Sequence, residues 1–160
     1  MRKSKFEDAL STFSYGVYVI TSKMDEKHNG CTVAWVSRVS FAPPIVAVSL
    51  APERLTHAYI KHSKVFAISV IPESDRGVAL GRRFGLVSGR KVDKFANIDC
   101  FTDVTGAPIL KESVGYVECN VIFSTEAGDH TIFIGEIISG KVLNDSIKPL
   151  AFISSDYFGR

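Results

Sequence analysis

A chain of 160 residues, 46% hydrophobic and 22% charged, has the length of one domain and the composition of a packed one, which excludes the disordered and fibrous classes. Seventeen Val and fourteen Ile against eight Leu favour strands, because β-branched side chains pack well on a pleated surface. A net charge of +2 and a pI near 8.4 fall short of the clustered basic face of nucleic-acid binders, so no nucleic acid is expected as a partner.

The basic start Met1-Arg2-Lys3-Ser4-Lys5 runs into Phe6-Glu7-Asp8 instead of an apolar segment, so no signal peptide is expected. A short amphipathic helix is predicted from Lys5 to Phe13, with Phe6, Ala9, Leu10 and Phe13 at helical spacing. Tyr15 to Ser22 reads as a strand, Lys23 to Asn29 as a charged turn, and Gly30 to about Val36 as a second strand. Ile45 to Leu50 is a nearly all-apolar third strand, expected to be buried on both faces. The surrounding stretch from Ala42 to Pro52 contains three prolines and is far shorter than the ~20 residues of a membrane helix, so no membrane contact is expected. Pro52-Glu53 opens a helix from Leu55 to His62, and Val65 to Ile71 is the fourth strand. Ser74 and Asp75 cap a helix running to about Arg83.

Gly85 to Ser113 is the least regular part of the chain, and loops of that length in a small domain are more often functional than idle. Tyr116 to Glu126 and Thr131 to Val142 form a hairpin joined by Ala127-Gly128-Asp129-His130, and Leu150 to Ile153 is a last strand before Tyr157-Phe158. With no linker or repeat, residues 1–160 read as a single domain. Short antiparallel strands with frequent turns predict a mainly β fold, a closed antiparallel barrel with a few short helices, since closure removes unpaired edges. Cys31, Cys100 and Cys119 are an odd number without CxxC spacing, which fits buried thiols in the cytoplasm better than disulfides or zinc.

Four segments carry candidate chemistry. Asn29 to Pro44 interrupts an apolar strand with small and hydroxyl residues, so it is either a half-solvated barrel strand or an edge offering N–H groups to a flat polar ligand. Ser49-Leu50-Ala51-Pro52-Glu53-Arg54-Leu55-Thr56 takes a strand into a helix start, where free N–H groups and the helix dipole favour an anion; Thr56 is either a further ligand or only an N-cap. Phe84 to Phe95 places Arg90 and Lys94 in a glycine-containing loop, which is either solvated or neutralises a phosphate. His130 at the hairpin tip either completes a structural turn or titrates and orients a ligand ring. His28, His57 and His62 show no metal-ligand pattern, and no GxSxG, P-loop or HExxH is present, so hydrolase and metal readings lack support.

Taken in order, these stretches resemble the flavin reductase-like, FMN-binding split-barrel family. The resemblance rests on Tyr15 to Ser22, Gly30-Cys31-Thr32-Val33-Ala34-Trp35 with Pro43-Pro44, Ala47-Val48-Ser49-Leu50 leading to Thr56, Phe84-Gly85 with Ser88-Gly89-Arg90, Asp93-Lys94-Phe95, Gly106-Ala107-Pro108, and Gly128-Asp129-His130 through Glu136. It is strongest for the branch containing ferric reductase, flavoredoxin and the flavin domain of rubredoxin reductases. Many flavin reductases carry Asn-Ser where this chain has Ala34-Trp35, a replacement that recurs in the flavoredoxin-like branch.

The resemblance implies a homodimer of split β-barrels, Greek-key-like in strand order, with FMN near the dimer interface. It implies that Thr32, Val33, Ala34 and Trp35 line the isoalloxazine ring and that Ser49, Leu50 and Ala51 face its pyrimidine end. Thr56, Arg90 and Lys94 would take the phosphate and ribityl chain with Phe84 and Gly85 alongside, and His130 would meet an approaching nicotinamide. The implied activity is electron transfer from NADH or NADPH through flavin to free flavin, a ferric complex or a redox protein. The alternative is a non-enzymatic FMN-binding electron carrier that does not itself use NAD(P)H.

Overall fold

The computed structural model describes residues 4–158; residues 1–3 of the basic start and residues 159–160 lie outside that range. One antiparallel sheet dominates. Its strands are β1 (Tyr18–Met24), β2 (Lys27–Val33), β3 (Val36–Ser40), β4 (Ile45–Leu50), β5 (Val65–Val70), and the long pair β8 (Gly115–Ala127) and β9 (His130–Val142). A separate two-residue ladder joins β6 (Cys100–Phe101) to β7 (Ile109–Leu110). The large sheet runs β2-β1-β5-β8-β9-β4-β3.

The sheet curls around one core. Ile20 of β1, Cys31 of β2, Val48 of β4, Phe66 of β5, Cys119 of β8 and Phe133 of β9 belong to a single buried cluster. Helix α2 (Leu55–Ser63) adds Ile60 to that cluster and plugs one end. The edges of the sheet, β2 and β3, are joined by only Ala34-Trp35, and among the described residues no ladder pairs them. A backbone bond from Ser49 N to Trp35 O, 3.0 Å, pins the seam. The barrel is therefore split at this point, not fully closed, and the seam carries Ala34, Trp35 and Ser49 of the residues singled out above.

A second core lies outside the barrel wall. Val17 and Val19 face away from Ile20 and pack with Ile71, Leu80 and Phe84 beneath helix α3 (Asp75–Leu86). Ser74 caps that helix as expected, its hydroxyl accepting from Gly77 N at 2.9 Å. A Cβ on Gly77 would sit 1.9 Å from the Pro72 carbonyl oxygen. That neighbour is backbone and cannot swing away, so Gly77→Ala should destabilise the fold by roughly 1–3 kcal/mol, measurable as a lowered denaturant midpoint.

Several expectations need correction. Helix α1 (Glu7–Leu10) is shorter than Lys5 to Phe13, and none of its residues is buried among the described residues. The charged turn shrinks to Asp25-Glu26, because β1 and β2 extend as a hairpin whose polar end projects past the core. The second strand stops at Val33, and β3 is a separate element. Strand β4 is buried on one face only: Val46, Val48 and Leu50 point inward, while Ile45, Ala47 and Ser49 are half-buried on the other side. Helix α3 runs three residues beyond Arg83. Leu150 to Ile153 makes one isolated bridge, Gly16 with Ala151, in place of a strand.

Candidate functional site

At one end of the split, the last residues of β2, the N-terminus of α2 and the loop after α3 enclose a cavity of about 300 Å³. Helix α2 begins after Arg54, which serves as its N-cap without a side-chain capping bond; His57 N donates to the Arg54 carbonyl at 3.0 Å, and the Leu55 and Thr56 N–H groups are left to other partners. Thr56 is the second helical residue, not the cap, and is completely buried. Its hydroxyl oxygen accepts from Asn29 Nδ2 at 2.9 Å. Gly89 closes over Asn29 so tightly that a Cβ would lie 2.1 Å from the amide oxygen, which explains glycine here.

Three cations ring this space. Arg54 donates to the Gly85 carbonyl at 3.0 Å and Arg90 to the Glu53 carbonyl at 2.8 Å. Lys94 is only 3% exposed, and its ammonium donates to the Gly30 and Phe84 carbonyls, each at 2.9 Å. Burial, with Arg54 adding repulsion, brings its pKa down from 10.5 to about 8. The Cys31 thiol beside it is pushed up by burial and stays a neutral thiol at neutral pH. The Glu53 carboxylate lies at the rim, but among the described residues none of the three cations forms an ion pair. Dipole, hydroxyl and unpaired cations thus converge on one anion-sized space, and a phosphate fits that donor set.

Across the seam a second, shallower recess of about 370 Å³ is lined by Tyr15, Trp35, Val36, Ser37, Ala47, Ser49 and Ile132. It is mostly apolar and suits a flat ring. Trp35 is half exposed, and the His130 ring lies 4.9 Å from it, centroid to centroid. His130 Nδ1 pairs with the Asp129 carboxylate at 2.7 Å, and this partner holds the Asp129 carboxyl below its usual range. His57, next to Thr56 on α2, bonds the Thr131 hydroxyl at 2.8 Å and so ties the cavity helix to the strand carrying His130.

The residues singled out in the sequence do not all reach one space. Thr56, Arg90 and Lys94 share the first cavity, with Phe84 and Gly85 giving it carbonyls. Trp35 and Ser49 share the second recess, with His130 against Trp35. Thr32 sits under Gly85 with its hydroxyl on the Gly81 carbonyl at 2.6 Å. Val33, Leu50 and Phe84 have their side chains in the cores, so only their main chain can meet a ligand. Ala34 and Ala51 are half-buried, their carbonyls accepting from Val36 N and Arg54 N. Asn29 and Arg54 also line the first cavity; both lie inside the candidate segments without being singled out there, and the signal for Arg54 is its place directly before the helix start.

Comparison with known proteins identifies the family. A curated high molecular weight rubredoxin from Moorella thermoacetica is 37% identical over 136 residues, covering 84% of this chain but only 59% of that protein. The chain therefore matches one part of a longer relative. A ferric-chelate reductase (NAD(P)H) from Archaeoglobus fulgidus is 31% identical over 140 residues, covering 87% of this chain and 82% of the relative. Among solved structures, the flavin reductase HpaC complexed with NADP+ superposes with a TM-score of 0.83 at 25% identity, covering 96% of this chain and 94% of that one. The model of the flavin reductase like domain matches residues 10–159, and the chain belongs to that family.

Proposed function

We propose that this protein is an FMN-binding oxidoreductase that passes electrons from NADH or NADPH through flavin to an acceptor, namely free flavin, a ferric complex or a redox protein. The observation that carries this reading is the cavity at the start of α2, where Arg54, Arg90 and the buried Lys94 stand without a carboxylate partner. A buried cation lacking a counterion is costly, and a bound phosphate removes that cost.

When bound, FMN supplies a redox centre that can take two electrons together and release them singly. Arg54, Arg90, Thr56 and the α2 N–H groups would hold its phosphate, and Lys94 would add charge from below. The main chain from Thr32 to Trp35 and from Ser49 to Ala51 would line the ring side. His130 is anchored through Nδ1 to an ionised Asp129, so Nδ1 carries the proton and Nε2 is left free to orient the donor's ring or to accept a proton. The acceptor is expected to approach from the open side of the Trp35 recess.

A homodimer is proposed alongside, on the family resemblance; Phe41 and Phe123, 82% and 59% exposed, are the apolar side chains whose burial in such a contact can be tested. A cytoplasmic address fits the three free thiols. Among the described residues, no helix is long and apolar enough to cross a membrane.

The test is to mix the protein anaerobically with NADH or NADPH and excess FMN. Oxidation of either nicotinamide at a useful rate is expected. No oxidation, with reduction of the flavin only by a reduced partner protein, would instead establish the carrier alternative. The relation to part of a rubredoxin-named protein makes rubredoxin-type iron proteins the first partners to try. His130→Ala should slow reduction by nicotinamide about tenfold or more while changing FMN affinity little, as for loss of a positioned acid-base or orienting group. Stopped-flow reduction and a flavin titration separate the two effects, and loss of FMN affinity with an unchanged rate would make His130 an anchor instead.

A further inference from the structure

Lys94 belongs to a loop outside every ladder, yet its ammonium is held at the floor of the cavity. The last turn of α3 holds it there in two ways. Phe84 offers its carbonyl to Lys94 Nζ. The preceding residue, Arg83, sends its guanidinium over the loop backbone: Nε donates to the Lys94 carbonyl at 2.6 Å, and Nη2 donates to the carbonyls of Asp93 at 3.1 Å and Ala96 at 3.0 Å. Both ends of Lys94 are therefore tied to one helical turn. Arg83 does not line the cavity. Among the described residues it has no carboxylate partner, and the Asp93 carboxylate instead accepts from Phe95 N at 2.9 Å. Of the side chains, only a guanidinium offers a rigid fork of donors able to span three carbonyls.

Resting on the FMN reading above, we infer that Arg83 is a positioning residue for the flavin-phosphate site. It acts without touching the ligand, holding residues 93–96 so that Lys94, with two of its three N–H groups spent on carbonyls, delivers the third toward the phosphate. The role requires the fork and not merely a positive charge, so lysine cannot substitute.

The full chain, as wild type, Arg83→Ala and Arg83→Lys, is titrated with FMN and with riboflavin, which has the same ring but no phosphate. FMN affinity is expected to fall about tenfold in both variants, as for loss of one charge-assisted hydrogen bond, while riboflavin affinity stays within about twofold. Wild-type FMN affinity in Arg83→Lys overturns the inference, because charge would then suffice. Equal weakening of FMN and riboflavin overturns it too, because the arginine would then be a general structural brace. Should Arg83→Ala fail to fold, Arg83→Lys carries the test by the same ratio. A wild-type protein with no preference for FMN over riboflavin removes the phosphate site itself, a failure visible before any variant is made.

Discussion

Lys94→Met is expected to weaken FMN binding by about 2–3 kcal/mol, roughly 30- to 160-fold, the range for losing a hydrogen bond from a buried charge to a phosphate. Methionine keeps most of the stem's volume, so the change isolates the ammonium. The pH dependence makes the prediction sharper. Because the folded-state pKa is brought from 10.5 down to about 8, the unfolded chain binds more protons than the native one between those values. The ligand-free protein should therefore gain stability from this group as pH rises from about 8 to 10.5, while FMN affinity should fall over the same range as the ammonium discharges. The group nearest to confusing this profile is Cys31, whose raised pKa leaves it uncharged at the start of the window. Both slopes should flatten in Lys94→Met. Denaturant unfolding and FMN titrations at several pH values provide the check, and a wild-type affinity that does not respond to pH near 8 would contradict it.

Glu118→Ala is the change expected to cost most stability, about 3–5 kcal/mol. The carboxylate is fully buried and takes the backbone N–H of Val104 at 2.8 Å, that of Thr105 at 2.9 Å, and the Thr105 hydroxyl. Removing it strands the buried Thr105 N–H and hydroxyl without an acceptor and frees the part-buried Val104 N–H. The loop at residues 102–107 is otherwise fastened through Asp103, which accepts from Tyr116 at 2.8 Å and Ser139 at 2.7 Å. Glu118→Gln should lose less, because the amide keeps one acceptor oxygen. Unfolding midpoints that differ by less than the equivalent of 1 kcal/mol between wild type and Glu118→Ala would show the carboxylate to be dispensable.

The elements recoverable from the chain are those whose burial writes a pattern. Strand β4 was bounded to the residue because Ile45 to Leu50 is flanked by prolines. Strand β5, α2 and the β8–β9 hairpin were found within a few residues for similar reasons. Strand β3 escaped because it is an edge: Ser37, Arg38 and Val39 are exposed, so no alternation marks it. The split β-barrel implied by the resemblance holds, whereas the closure expected from the strand pattern alone stops at the same place, since the two sheet edges meet through Ala34-Trp35 without pairing.

At the site, Thr56, Arg90 and Lys94 could be picked by type, as a hydroxyl at a helix start and cations among glycines. What composition could not convey is that Lys94 turns inward to two carbonyls, or that Arg83 and Arg54 divide the work of shaping the cavity. Such contacts join residues distant in the chain, as Gly30 and Lys94 are. Their strength comes from burial that only the fold creates.

The most direct measurement is the position of the phosphate in a crystal of the protein grown with FMN. A phosphate is expected at the N-terminus of α2 within hydrogen-bond distance of Thr56, Arg90 and Lys94, with the ring running toward Trp35 and Ser49. A phosphate in solvent, or a flavin bound with its ring in the Arg90–Lys94 cavity, would contradict it.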